Sequence, residues 1–268
     1  MNRQTNPIVP AGEAHYFTVN DACHHTLADA VILQDLRYWL SRNRINEHNI
    51  RDGYYWSYDS AREIAGRLPY LKRRTINNRL RKLENKGIVK SSNYNAKGYD
   101  RTKWYTIPDE YNVNCPPKDK GGYCTFLKDD ALRYGLVKAV ILYNFRYWEN
   151  HNRLQSVNIK NGRAWVENTV GNIVRYFEFI PKKTVHDNIN SLLNKGVLIT
   201  EESGNRDSRY WAVNDGSESP IVHSDTTRAK LANGGAKLAN GGCETCQPIP
   251  YKDIPYKIYN RDPLAFSF

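Results

Sequence analysis

Apolar positions along this chain fall into two series built to one plan. In the first, Leu27, Val31, Ile32, Leu36 and Trp39 recur at helical spacing, which predicts a long helix opening at a cap on Asn20-Asp21 and ending near Arg42. A polar stretch with the turn pair Asp52-Gly53 separates it from Tyr54-Tyr55-Trp56-Ser57, which reads as a short strand. Asp59-Ser60 then caps a short helix carrying Ala61, Ile64 and Ala65, and Leu68-Pro69-Tyr70 breaks it. Ile76, Leu80 and Leu83 form the inner stripe of a third helix over 72–86, closed by Gly87. Ile88-Val89-Lys90 and Trp104-Tyr105-Thr106-Ile107 read as the strands of a hairpin around a turn-rich tip at 93–98.

The second series repeats the first. A shift of 109 positions lays 17–87 on 126–196 without a gap and leaves 23 identical pairs. Ala30-Val31-Ile32-Leu33 falls on Ala139-Val140-Ile141-Leu142, and Asn85-Lys86-Gly87 falls on Asn194-Lys195-Gly196. The long helix recurs over 129–150, Asn168-Thr169 caps the short one, and Pro181 opens the third, whose inner stripe is Val185, Ile189 and Leu192. Ser208-Arg209-Tyr210-Trp211 is the returning strand of a shorter hairpin. A period this long excludes a solenoid array. The reading is an α+β chain, mainly helical, with one domain duplicated over 1–114 and 126–214. A linker over 115–125 joins them around Pro116-Pro117, and after Asp215 the periodicity ends, so 215–268 reads as a disordered tail.

Charge narrows the partner. The chain carries 39 Lys and Arg against 28 Asp and Glu, a net +11, and soluble proteins this basic commonly meet a polyanion. Five irregularly spaced cysteines and a start that is not a signal peptide point to a reducing cytoplasm. No apolar run reaches the roughly 20 residues of a membrane span. Cys243 and Cys246 form a lone C-x-x-C with no second ligand pair, and Cys23-His24-His25 occupies adjacent helix positions that point apart, so neither predicts a metal. With no phosphate loop, no H-x-H pair and no carboxylate pair beside a lysine, the sequence predicts neither an enzyme nor a cofactor.

The third helix holds the candidate chemistry. Its outward face carries Lys72, Arg73, Arg74, Asn77, Asn78, Arg81 and Lys82, and from 72 to 86 seven Lys or Arg stand against one acid, Glu84. Arg pairs with guanine edges and Asn with adenine edges in two-pronged fashion, while lysines near helix ends hold phosphates. A merely soluble face mixes its signs. The hairpin adds Lys90, Lys97, Arg101 and Lys103. The second copy offers Lys182, Lys183, His186 and Asn190 on its helix and Asn205, Arg206 and Arg209 on its hairpin, but Asp187 opposes phosphate contact there. The first copy is therefore expected to dominate.

The run from Thr75-Ile76 through Leu83-Glu84-Asn85-Lys86-Gly87-Ile88-Val89, set in the order helix, strand, helix, turn, helix, hairpin, resembles the winged-helix family over about 17–214. The resemblance implies two tandem winged helix-turn-helix domains. Together with the basic charge and the tail, the pair resembles the replication initiators of phages, plasmids and their satellites. That implies double-stranded DNA with direct or inverted repeats as partner, and recruitment of a replicative helicase or its loader by the remainder of the chain. A homodimer is compatible with it. A repressor or activator of a mobile element is the competing reading, and a DNA-free interaction module the third.

The tail holds a tandem heptapeptide, Ala229-Lys230-Leu231-Ala232-Asn233-Gly234-Gly235 and its copy at 236–242. Read as DNA, each unit is 21 base pairs, about two turns of duplex, a spacing suited to origin repeats inside the gene.

Overall fold

The computed structural model describes residues 12–114 and 122–214. The first half runs β1 (Ala14–Thr18), α1 (Val19–His24), α2 (Leu27–Ile45), β2 (Ile50–Arg51), β3 (Tyr54–Tyr55), β4 (Ser57–Asp59), α3 (Ala61–Arg67), α4 (Arg73–Asn85), β5 (Lys90–Ser92), β6 (Lys103–Thr106) and α5 (Pro108–Tyr111). The second runs β7 (Tyr123–Leu127), α6 (Lys128–Tyr134), α7 (Leu136–Gln155), β8 (Ile159–Lys160), β9 (Arg163–Ala164), β10 (Val166–Asn168), α8 (Val170–Arg175), α9 (Lys182–Asn194), β11 (Leu198–Glu202) and β12 (Arg209–Val213). This is an α+β architecture of helices with small antiparallel sheets. Its three-stranded sheets are ordered β4-β6-β5 and β10-β12-β11.

The single long helix expected at the start of each half is two helices. Thr18, rather than Asn20-Asp21, caps α1 by accepting the Asp21 amide. The chain extends at His25 and restarts at a capping box, in which the Thr26 hydroxyl and the Asp29 carboxylate each accept the other's backbone N–H. In the second half the break is Gly135, at φ +89. Both long helices overrun their expected ends, to Ile45 and Gln155.

The strand expected over 54–57 divides at Trp56. Tyr54–Tyr55 folds back on Ile50–Arg51, while Ser57–Asp59 joins β6. The first hairpin strand starts at Lys90, not Ile88, because the Ile88 and Val89 amides both turn back to the Leu83 carbonyl and close the end of α4. That closure needs the left-handed φ of +71 at Gly87, and Gly196 repeats it at +66.

The last three residues of the linker expected over 115–125 belong to β7. Residues 115–121 and the tail, with its heptapeptide repeat and Cys243 and Cys246, lie outside the described residues. Among the described residues no helix is long and apolar enough to cross a membrane.

The two halves meet edge to edge. β1 and β7 pair antiparallel, from Ala14 opposite Leu127 to Thr18 opposite Tyr123. One more bond extends the ladder at each end, Val19 N–H to the Gly122 carbonyl at 3.0 Å and Lys128 N–H to the Glu13 carbonyl at 2.9 Å. Phe17 and Phe126 are fully buried and belong to one apolar cluster that continues through α2, α4, α7 and α9.

An ion pair ties the short first helix to the long second one in each half, and in the first half it is buried. The Arg37 guanidinium binds both Asp21 carboxylate oxygens, with Nη2 at 3.0 Å, and also Glu110 at 2.9 and 3.0 Å. Arg146 and Asp130 repeat the pair between α6 and α7. Burial pushes the Asp21 carboxyl up, but hydrogen bonding and charge from Arg37, with the Thr18 hydroxyl, outweigh it and hold the pKa below the ordinary aspartate value. A depressed folded pKa gives stability that is present above the unfolded value and lost as pH falls through the folded one. Asp21→Asn is expected to cost about 3–5 kcal/mol at neutral pH, because it leaves Arg37 buried and half-paired. Chemical denaturation at a series of pH values should show the gap to the parent narrowing below about pH 4, and a constant gap would remove Asp21 from this role.

Candidate nucleic-acid interface

α4 is a helix with one wet face. Ile76, Leu80 and Leu83 are buried, while Lys72, Arg73, Arg74, Asn77, Asn78, Arg81 and Lys82 are all exposed, as the apolar spacing requires. These seven candidates therefore lie along one helix. A groove of about 500 Å³ runs beside them, lined by Thr75, Asn78, Arg79, Arg81, Lys82 and Asn85. No side chain caps the first turn of α4 and no acid sits in it, so its leading N–H groups and Lys72, Arg73 and Arg74 present positive potential together.

Three of the groove residues, Thr75, Arg79 and Asn85, were not among the expected contacts. Arg79 is half-buried, and its guanidinium lies 3.6 Å from the Asp29 carboxylate at the start of α2. It anchors α4 to the scaffold while bordering the groove. Helical spacing within α4 gives no hint of this, because Asp29 belongs to a separate helix much earlier in the chain.

The hairpin candidates separate into exposed and engaged. Lys97 and Arg101 are exposed in the loop 93–102. That loop is braced from within: the Asn95 side-chain amide donates to the Asp100 and Thr102 carbonyls at 2.9 and 2.8 Å, and its oxygen accepts from the Trp104 indole at 2.7 Å. Tyr58 donates to the Asp100 carboxylate at 2.7 Å, and this holds that carboxyl below its ordinary pKa. Lys103 is committed to Glu84 at 3.1 Å, so the one acid of the α4 face is neutralised by a hairpin lysine. Lys90 stands 5.0 Å from the Tyr54 ring centroid, within cation–π range.

In the second half Lys182, Lys183, His186 and Asn190 are exposed on α9, as is Asp187, and Arg206 and Arg209 are exposed at the β11–β12 turn and the start of β12. The first turn of α9 again has neither a side-chain cap nor an acid.

What holds the two helix pairs differs between copies. In the first, Arg67 at the end of α3 reaches Asp35 on α2 at 2.8 Å and Asp59 on β4 at 2.7 Å, and stacks 5.1 Å from Trp39. Desolvation raises the Asp35 pKa even against the opposing pull of Arg67. The counterparts in the second copy are Tyr176, Asn144 and Asn168, all uncharged, with the Asn168 amide 3.2 Å from the Tyr176 hydroxyl. An ionic triad has been exchanged for a neutral one as a set.

Among the described residues no group of three His, Cys, Asp or Glu side chains is placed to hold a metal ion. Comparison with known protein families, with curated proteins and with solved structures finds no match.

The triad exchange makes a test of coupling. Arg67→Tyr alone is expected to cost about 3–5 kcal/mol, since it strands two buried carboxylates. Arg67→Tyr combined with Asp35→Asn and Asp59→Asn should recover most of that loss in urea melts. Additive losses across the three positions would show that they do not act as a unit.

Proposed function

We propose that this chain is a sequence-specific double-stranded DNA-binding protein built from two tandem winged helix-turn-helix units, with α4 and α9 as recognition helices. One observation carries the reading: the exposed face of α4 is all cation and amide, and its single acid is neutralised by Lys103. Arginine and asparagine on such a helix supply the donors that match guanine and adenine edges in a major groove. Lys72 and Lys82 near its ends, with Lys97 and Arg101 on the hairpin, supply phosphate contacts that set register. The second unit offers a thinner set and contributes less affinity. The protein is a binder rather than an enzyme and works in the bacterial cytoplasm.

Within that class we favour the replication initiator of a phage, plasmid or satellite, in which the paired units bind origin repeats and the tail recruits a helicase or its loader. This narrower step rests on sequence: the duplicated unit, the partner-like tail and the 21-base repeat period. A repressor would use the same face. Replication of a plasmid carrying the gene's own locus, dependent on this protein, separates the two.

Neutralising about six phosphates should give a slope of roughly −5 in log affinity against log salt. Arg73→Ala, Arg74→Ala or Arg81→Ala should each cost about 1–3 kcal/mol of binding if it reads a base, and Lys183→Ala should cost less. Mobility shifts on duplexes from the gene's locus measure both. A flat salt response removes the DNA reading, and equal losses in the two units remove the ranking.

A further inference from the structure

The β1–β7 ladder is centred on a residue and its own duplicate. Tyr16 pairs with Thr125, and the shift of 109 that relates the two copies takes Tyr16 to Thr125. The flanking bonds obey the same operation: Lys128 N–H binds the Glu13 carbonyl, and their counterparts Val19 and Gly122 are joined in the reverse sense. An antiparallel pair with this register has a local two-fold axis perpendicular to the ladder, through the central pair.

Packing around the strands repeats the operation. The Tyr70 ring meets Phe126 of the other half at 5.4 Å, and Phe179, the counterpart of Tyr70, meets Phe17, the counterpart of Phe126, at 5.7 Å. Each unit's inter-helix turn thus rests on the other unit's strand, the reciprocity of an isologous dimer interface. His15 and Phe17 lie on one face of the ladder by strand alternation, and Phe126, directly opposite His15, shares that face. Tyr70 and Phe179 each stand three residues before a recognition helix, so α4 and α9 both begin on this side. With Phe17 and Phe126 at 6.2 Å, the chain of three ring contacts keeps Tyr70 and Phe179 at most about 17 Å apart.

We infer that one chain is a built-in dimer whose internal two-fold lies on a dyad of the DNA, so that it reads a single site of two inverted, unequal half-sites. This rests on the DNA-binding reading above. Duplex DNA has two-fold axes perpendicular to its length, and a reader with the same symmetry matches half-sites that run in opposite directions. Half-sites running in one direction are related by translation, which this ladder cannot supply. Inequality follows from charge. Residues 72–86 carry seven cations against one acid, whereas 181–195 carry three lysines against Asp187. The α4 half-site therefore holds more of the sequence information, and no second chain is needed to complete the reader.

The test uses the full chain and a pool of duplexes randomised over about three helical turns. The expected product of selection is two blocks of bases in inverted orientation, bound by one chain per duplex in sedimentation. Turning one block round, so that both run the same way, should weaken binding at least about tenfold with length and composition unchanged. Arg73→Ala with Arg74→Ala should erase the selected bases of one block, and Lys182→Ala with Lys183→Ala should weaken the other. Blocks running in one direction, a single block, or two chains per site would overturn the inference while leaving DNA binding intact. Absence of any enriched sequence together with salt-independent retention would instead overturn the DNA-binding reading itself.

Discussion

A lone five-residue strand leaves its backbone N–H and C=O groups without partners, and an unpaired buried peptide group costs as much as a lost hydrogen bond. Among the described residues Ala14–Thr18 and Tyr123–Leu127 form a two-stranded sheet only with each other, and Phe17 and Phe126 within it are fully buried. The arrangement of the rest depends on that pairing. It fixes where α1 and α6 leave the ladder, and through Phe17 and Phe126 it fixes where the two inter-helix turns come to rest. The apolar cluster then fills in on both sides without a break between the halves.

Parts of this were legible in the chain and parts were not, for physical reasons. The inner stripes of α4 and α9 follow from periodicity alone, because an amphipathic helix needs only its own residues to declare a face. The same holds for the exposed basic row on α4. β1 and β7 gave no such signal: they are short, buried over most of their length, and satisfied by a partner about a hundred residues away. The break between α1 and α2 was hidden because His24, His25 and Thr26 carry no glycine or proline to mark it, and only the Thr26–Asp29 box reveals it. In the site, exposure of the cations could be read from sequence, but their engagement could not. Lys103 and Arg79 look like their neighbours until Glu84 and Asp29 are seen beside them.

The two copies share their packing and differ in their electrostatics. Arg37 with Asp21 and Arg146 with Asp130 hold the same joint in both halves, and Asn43 and Asn152 donate to the Trp56 and Trp165 carbonyls at 2.6 and 2.7 Å. Strained backbone is retained as well, with Glu47, Asn49 and Asp52 and their counterparts Ser156, Asn158 and Asn161 all at positive φ. Against that constancy stand the ionic triad around Arg67, its neutral counterpart, and the unequal charge of α4 and α9. Backbone geometry and the Arg–Asp and Asn–Trp joints are common to both halves, whereas the charge around Arg67 and along α4 is not repeated around Tyr176 and along α9.

Joining the two strands in one polypeptide also changes how the assembly responds to abundance. Two separate copies of such a unit would find each other by a bimolecular step, so the paired ladder would form only above a threshold amount of protein. A covalent tether replaces that step with an intramolecular one at an effective concentration in the millimolar range. The joined form is therefore complete from the first molecule made. Having no need to match a twin, each half is free to accumulate its own surface changes one at a time, where a true homodimer must suffer every substitution twice.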